Sequence, residues 1–321
     1  VGMMETTQDR DGVDEPGSPV AAPGEDNGRA ERLAADERYD GFVRDGGNEP
    51  AVPGRGLSCA QPGDFLHFDY DRCGTESPID PVLFRQQGGT ADPIDRADVT
   101  QGAMGDCHVM APLASLAGTP EGRALIKNAI HAGTNERGEP VYTVTLHKPE
   151  SKWFGQKTFT EVKITVDAHF ARGHGIPAEP SASGQGIWHL AIEKAYAQLC
   201  GGHNAIARGG CPADVIEALT GREAERIVPG WFTSYSSDRL EGDLAAGKIV
   251  VFETKPGIDK YAAPRLVESH AYSVVGTEAR DGRLYVKLYN PWNKHQPDPI
   301  PCDELNTWFQ RVDVGSVPVS S

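Results

Sequence analysis

Gln101-Gly-Ala-Met-Gly-Asp-Cys-His-Val-Met-Ala-Pro-Leu-Ala-Ser-Leu116 is the stretch that decides how the rest of the chain is interpreted. Its glycines predict a loop, and an apolar helix is predicted to begin at Cys107. A thiol at a helix N-terminus lies beside unpaired backbone N–H groups and the positive end of the helix dipole, which favour the thiolate. We therefore take Cys107 as a candidate nucleophile and Gln101, six residues upstream, as a candidate oxyanion donor.

Two features of this helix leave other interpretations open. A cysteine outside a disulfide is most often a small buried apolar side chain, so Cys107 is also typical of plain core packing. Pro112 lies inside the apolar run, where it removes one backbone hydrogen bond or kinks the helix. We expect the helix to tolerate this proline if it falls in or near the first turn.

The charge of the chain argues against binding to nucleic acid and against binding to anionic membranes. The 321 residues carry a formal net charge of -15, and such a chain repels nucleic acid and anionic membranes. We find no run of about 18 apolar residues and expect no membrane span. The first residues lack the basic and then apolar profile of a secretory signal, so we also expect no signal peptide.

The cysteines indicate a reducing compartment rather than a disulfide scaffold. They form no C-x-x-C pair, which argues against a structural zinc site or a redox dithiol. Their density is too low for a chain of this size to depend on disulfides. His169 and His174 have no third type of ligand near them, so we predict no metal site. The six cysteines are Cys59, Cys73, Cys107, Cys200, Cys211 and Cys302.

Composition divides the chain into three parts. Residues 1–56 are rich in Gly, Pro, Ala, Asp and Glu, and such a segment cannot bury enough apolar surface to offset its ordering entropy. We predict a disordered acidic tail there. Helical patterns dominate 57–208 and strand patterns dominate 209–321. We therefore predict an α+β fold in which a helical lobe and a β-rich lobe enclose a cleft, a common position for a ligand.

The periodicity of apolar residues locates the main helices and strands. The strongest helix covers 187–199, and two glycines end its pattern. Further helices are predicted over 121–130, 213–219 and 238–246. Strands are predicted over 141–146, 159–166, 248–253, 270–277 and 284–289.

A predicted hairpin brings a histidine towards an asparagine. A two-residue turn at Asp281-Gly282 pairs Ser273 with Asn290 and leaves His270 three residues away, so a bulge or longer loop would bring His270 beside Asn290. A catalytic imidazole needs a third group to fix its tautomer and orientation, and Trp292 can cover such a bond from water. The alternative is a polar strand end followed by an Asn-Pro turn.

Four blocks of sequence together resemble the catalytic core of the calpain-like cysteine proteases, in a compact form similar to bacterial members. They occur in family order over about residues 80 to 295. The blocks are Asp98-Val-Thr-Gln-Gly-Ala-Met-Gly-Asp-Cys107, Ile187-Trp-His-Leu-Ala-Ile-Glu-Lys-Ala-Tyr-Ala-Gln-Leu199, Ser269-His-Ala-Tyr-Ser-Val-Val-Gly276 and Leu288-Tyr-Asn-Pro-Trp292.

The resemblance implies a papain-like fold, with a helical first lobe and an antiparallel β second lobe, and an endopeptidase. Cys107 would be the nucleophile, His270 the general base and acid, and Asn290 the orienting group. Gln101 and the backbone N–H of Cys107 would form the oxyanion hole. The implied reaction is hydrolysis of a peptide bond through a thioester acyl-enzyme.

The resemblance also implies a protein substrate. Gly209 and Gly210 lie where the family places the substrate backbone against the first lobe, and Ser269 and Trp292 flank the histidine and asparagine. We count these four as substrate-binding residues. The tail over 1–56 is a candidate for removal by the enzyme itself.

Several positions depart from the family pattern. His108 replaces the aromatic residue that usually follows the cysteine. Ser269 and Asn293 stand where the family usually has glycine. Many members are activated by calcium, but we find no helix–loop–helix calcium motif in this chain. We therefore expect no required cofactor and regard calcium activation as implied by the family alone.

Two other functions are compatible with the same residues. A papain-fold amidase, deamidase or transglutaminase-like toxin would use the same Cys107 and His270, but such enzymes usually orient the histidine with aspartate, so Asn290 disfavours them. A degenerate protease acting as a binding module is disfavoured because all four polar positions are present. We expect the protein in the cytoplasm, or exported as an effector by a dedicated secretion system.

Overall fold

A computed structural model describes residues 82–85, 92–102, 104–151, 157–170, 186–230, 234–259 and 261–318. The predicted tail over 1–56 lies outside the described residues. The division into lobes at residue 208 stays a prediction. Within the described ranges, no helix is long and apolar enough to cross a bilayer.

Seven helices and nine strands form the described part of the chain. The helices are α1 (Cys107–Ala117), α2 (Pro120–Ala129), α3 (Trp188–Cys200), α4 (His203–Ile206), α5 (Pro212–Thr220), α6 (Ser237–Ala245) and α7 (Leu305–Trp308). The strands are β1 (Ile130–Thr134), β2 (Pro140–Ser151), β3 (Lys157–Asp167), β4 (Glu225–Ile227), β5 (Ile249–Thr254), β6 (Ala271–Arg280), β7 (Arg283–Tyr289), β8 (Ile300–Pro301) and β9 (Phe309–Gly315).

Helix α1 is the central element of the fold. Every residue after Cys107 is buried, as expected for a helix that is apolar all round. Pro112 is its sixth residue and not part of the first turn, so position 112 cannot donate to the carbonyl of His108. The helix tolerates this loss because close packing surrounds it on all sides.

The strands form two antiparallel sheets. Strands β1, β2 and β3 form a three-stranded sheet in that order. The second sheet has six strands in the order β4-β9-β5-β6-β7-β8. One of its faces packs on α1, since Ile249 and Val251 of β5 share a core with that helix. The alternate residues, Val250 and Phe252, belong to a second core on the opposite face.

The predicted helices and strands are confirmed, and the fold is α+β. The predictions missed β1, β4, β8 and β9. Strands β4 and β8 are only three and two residues long. In β9 Arg311 and Asp313 alternate with Val312 and Val314, but this pattern covers only four residues, and its charged side chains face α1.

The hairpin of β6 and β7 contains the bulge that the histidine and asparagine require. Near the turn Arg280 pairs with Arg283, as a two-residue loop dictates. The register then shifts by one residue between Val274 and Gly276, so that Ser273 faces Tyr289 instead of Asn290. This shift brings the residues beyond the strand ends closer together.

Candidate active site

Cys107 lies at the start of α1 against the strand that follows His270. The residue as a whole is half-buried, and its sulfur accepts hydrogen bonds from the backbone N–H groups of Ala271 and His108. Both bonds favour the thiolate, but burial is the larger effect and raises the pKa of Cys107 to about 12.

His270 is held by Asn290, as predicted from the hairpin. The ring nitrogen Nε2 of His270 lies 3.0 Å from Oδ1 of Asn290, and both side chains are buried. Burial lowers the pKa of His270 to about 4, against the opposing effect of the Asn290 bond. An amide oxygen can only accept, so Nε2 carries the proton and Nδ1 is the basic nitrogen.

Two aromatic rings enclose this imidazole. The Trp292 ring centre lies 4.7 Å from that of His270, and Tyr272 meets His270 edge-on at 4.9 Å. The backbone N–H of Trp292 also donates to Asn290 Oδ1 at 3.1 Å. Trp292 therefore contacts both members of the pair, His270 through its ring and Asn290 through its backbone.

Thr254 and Gln296, which sequence reasoning missed, fix the backbone of the pair. Thr254 Oγ1 accepts from His270 N at 2.9 Å. Gln296 Oε1 accepts from Asn290 N at 2.8 Å, and Gln296 Nε2 donates to Asn290 O at 3.3 Å. No local motif marks either residue, because each acts on a partner through the fold.

Gln101 links the loop before Cys107 to the asparagine segment. Its backbone N–H donates to Pro291 O at 2.8 Å, and its side-chain Nε2 donates to Met104 O at 2.7 Å. The side chain is buried, and its amide nitrogen carries a second N–H donor. These bonds fix the Gln101 amide beside the loop that leads to Cys107, which is called the nucleophile loop below.

A buried serine pair joins the helix of Cys107 to the strand of His270. The hydroxyl oxygens of Ser115 and Ser273 lie 2.7 Å apart. Ser115 also donates to Val250 O at 3.4 Å. This contact sets the position of α1 on β6.

The two glycines after α4 lie against the nucleophile loop. Gly209 N donates to Gly105 O at 2.9 Å. Gly210 packs on the ring of His108, so closely that a Cβ at position 210 would lie 2.4 Å from a ring carbon. The carbonyl of Gly210 accepts from Arg311 Nη2 at 3.2 Å. The His108 ring thus packs against the segment of Gly209 and Gly210.

Both departures from the family's glycines occupy left-handed backbone. Ser269 has a φ of 47° and Asn293 a φ of 56°. Glycine adopts this conformation at little cost, and asparagine tolerates it better than serine does. The left-handed backbone at positions 269 and 293 therefore explains why the family usually has glycine there.

The expected thiolate is not favoured in this arrangement. The pKa of Cys107 is raised and that of His270 is lowered, so at neutral pH the thiol and the imidazole are both uncharged. The helix N-terminus favours ionisation, but in a site this buried the desolvation of a charge outweighs that effect.

Comparison with known proteins identifies the family. Residues 82–313 match the calpain family cysteine proteases. The chain belongs to this family. The match covers most of the chain and includes α1, the His270 strand and the Asn290 turn.

The curated relatives are longer calpains. The calpain-1 catalytic subunit of Sus scrofa is 28% identical over 236 residues, which are 70% of this chain and 31% of that protein. The calpain-type cysteine protease ADL1 of Oryza sativa is 28% identical over 230 residues, or 68% and 10%. The calpain-2 catalytic subunit of Gallus gallus is 29% identical over 210 residues, or 62% and 28%. The chain thus spans less than a third of each relative.

Buried histidines of this calpain-family core make its stability depend on pH. Burial lowers the pKa of His189 to about 3, so it stays neutral in the folded protein but gains a proton on unfolding below its ordinary value of 6.5. Its contribution to stability is complete above pH 6.5 and is lost as the pH falls. The raised pKa values of Glu193, about 8, and Asp313, about 7, act in the opposite direction.

His189→Phe is expected to flatten this dependence. Relative to the parent, the variant gains about 1.4 kcal/mol in unfolding free energy per pH unit below 6.5, since one proton fewer is taken up on unfolding. Urea denaturation at pH 7.5, 6.0 and 5.0 measures the difference. Parallel curves for both proteins would show that His189 does not titrate in this way.

Proposed function

We propose that this chain is an endopeptidase that uses Cys107, His270 and Asn290 as a catalytic triad. One observation carries the proposal: Asn290 holds Nε2 of a buried imidazole, while the sulfur of Cys107 is bonded to the residue after that histidine. This arrangement leaves the basic Nδ1 of His270 as the acceptor for the thiol proton.

The reaction follows from the neutral state of the pair. Nδ1 of His270 takes the proton as the sulfur attacks the substrate carbonyl, and the backbone N–H of Cys107 and the side chain of Gln101 stabilise the oxyanion. The C–N bond then breaks, His270 returns the proton to the leaving amine, and a thioester remains on Cys107. Water, deprotonated by His270, then attacks the thioester carbonyl; the C–S bond breaks, the acid leaves and His270 returns the proton to the sulfur of Cys107.

The proposed substrate is a polypeptide in extended form. Gly210 is exposed and lies next to the nucleophile loop, and Ser269 and Trp292 border the imidazole. Strand-like pairing with such a segment gives affinity without a side-chain requirement. The segment 1–56, with few large apolar residues, is a further proposed substrate of the enzyme itself.

Alkylation of Cys107 tests the proposal. The protein is incubated with an unfolded protein substrate before and after treatment with iodoacetamide, and mass spectrometry identifies both the alkylated cysteine and the products. We expect new peptide termini before treatment and none once Cys107 is modified. Product that carries deamidated glutamine without chain cleavage would instead identify an amidase, and unchanged cleavage after complete alkylation would contradict the proposal.

We propose that hydrolysis needs no calcium. The nucleophile and proton carrier are both side chains of this protein. Among the described residues, no three His, Cys, Asp or Glu side chains are grouped to hold a metal. The buried carboxylate of Asp98 is already bound by Arg85 and by Trp188 Nε1, the latter at 2.9 Å. We expect EGTA to leave the rate unchanged; a loss of rate that added calcium restores would contradict this.

A further inference from the structure

A row of three side chains crosses the sheet beside Cys107. Glu253 of β5 pairs with Ala271 of β6 on one side and with Arg311 of β9 on the other. Residues directly opposite one another in antiparallel strands point to the same face. Val251, two residues before Glu253, belongs to the core that α1 shares, so the row faces α1.

The two ends of this row touch the two halves of the candidate site. At one end the N–H of Ala271 is bonded to the sulfur of Cys107. At the other end Arg311 Nη2 donates to the carbonyl of Gly210 at 3.2 Å. Neighbouring strands lie about 5 Å apart, so Glu253 is one strand away from Ala271, and its other neighbour, Arg311, reaches Gly210. A long side chain on a polypeptide bound at Gly210 and Cys107 can therefore reach Glu253.

The acidic side chains at this row are paired with arginines. The guanidinium of Arg311 is bonded to Glu253, and its Nε lies 3.2 Å from Asp313. Arg226 Nε also lies 3.8 Å from Asp313, and burial raises the pKa of Asp313 to about 7, so Asp313 is only partly charged at neutral pH. The charge of Glu253 reaches the nucleophile, since it raises the pKa of Cys107 together with Asp106. The net charge of the whole chain, -15, has the same sign.

Glu253 also has capacity for another donor. Its Oε1 accepts from Gln310 Nε2 at 2.6 Å, and its Oε2 accepts from Arg311. A carboxylate offers about four lone-pair positions, so these bonds do not saturate it. The side chain remains 18% exposed. Arg311, by contrast, is held by two acids and by a backbone carbonyl.

We propose that Glu253 determines substrate specificity and that the enzyme prefers polypeptides with an arginine or lysine at the position whose side chain reaches it. The inference rests on the proposed function, because it assigns the substrate class of the same site. A basic side chain there gains a charge-assisted hydrogen bond, while an acidic one meets a like charge in a poorly solvated position.

A peptide series tests the proposal. Fluorogenic peptides that differ only in arginine, leucine or glutamate, placed in turn at each of several positions before the scissile bond, are compared by kcat/KM. With the unaltered protein we expect arginine to exceed leucine by about tenfold at one position, with glutamate the poorest. A ranking with leucine or glutamate above arginine at every position overturns the proposal without any variant.

Glu253→Gln then locates the cause of the preference. Glutamine keeps the length and an oxygen acceptor but removes the charge, so the ratio of arginine to leucine is expected to fall to about one while the leucine peptide is still cleaved. Glu241→Gln, an exposed change on α6, removes one charge elsewhere and leaves the ratio intact. An unchanged ratio in Glu253→Gln overturns the proposal. Absence of cleavage of every peptide by the unaltered protein would instead contradict the proposed endopeptidase.

Discussion

Cys107→Ala, His270→Ala and the double variant are each expected to reduce kcat/KM by the same factor, about 10⁴ or more. In the proposed mechanism the thiol and the imidazole act as one unit: without His270 the thiol keeps its proton because its pKa is about 12, and without Cys107 the imidazole has no nucleophile to activate. Removal of the second residue therefore costs almost nothing more.

The kinetics of the three variants on one peptide test this unit. Two control variants should retain activity. His131→Ala changes an exposed position on β1, and Cys302→Ala changes the core on the opposite face of the six-stranded sheet. Asn290→Ala should cost less, about 10²-fold, because the imidazole remains but is no longer oriented. If the fold-loss of kcat/KM in the double variant equals the product of the two single fold-losses, Cys107 and His270 do not act as one unit.

Local sequence was sufficient to predict the helices, loop and turn that hold the residues of the candidate site. The loop and helix around Cys107, the helix over 187–199 and the turn at Asp281-Gly282 each have signals within about 15 residues, because capping, turn chemistry and amphipathic periodicity act over that distance. The meeting of His270 with Asn290 also followed from the sequence, since both belong to one hairpin. Only the bulge that adjusts its register had to be seen in the structure.

The supporting residues were not predictable because their partners are distant in the chain. Thr254 binds the backbone of a residue 16 positions away. Arg311 reaches Gly210, 101 positions away, and no residue near Arg311 in the sequence indicates this partner. The pairing of charges across β5 and β9 becomes visible only when the sheet order is known.

The ionisation state of the thiol was another property that local sequence could not give. A helix N-terminus lowers a thiol pKa, and this effect was foreseen at Cys107. The opposing effect is the burial of the thiol, which outweighs the hydrogen bonds from Ala271 and His108 that favour the thiolate. The desolvation of the thiol depends on all the groups that the fold packs around it, and a short motif contains no information about them.

Gly105→Ala is expected to reduce kcat/KM by about 10²-fold or more and to destabilise the fold by about 1–3 kcal/mol. A Cβ at position 105 would lie 2.5 Å from the backbone oxygen of Ala207, which is too close for any real contact. The Gly105 carbonyl also accepts from Gly209 N at 2.9 Å, so the two loops cannot simply separate. The displacement passes to Met104, which holds the Gln101 side chain, and to Cys107.

Urea denaturation and steady-state kinetics on the same preparation separate the two effects. Gly242→Ala is the matched control, because a Cβ at this exposed position of α6 meets nothing within 4 Å. It should stabilise the fold by up to about 1 kcal/mol without a change in kcat/KM. If Gly105→Ala were as active and stable as this control, the nucleophile loop could not be held against Ala207 as the structure has it. If it were stable but inactive, the close contact would serve the placement of Gln101 and Cys107 more than the stability of the fold.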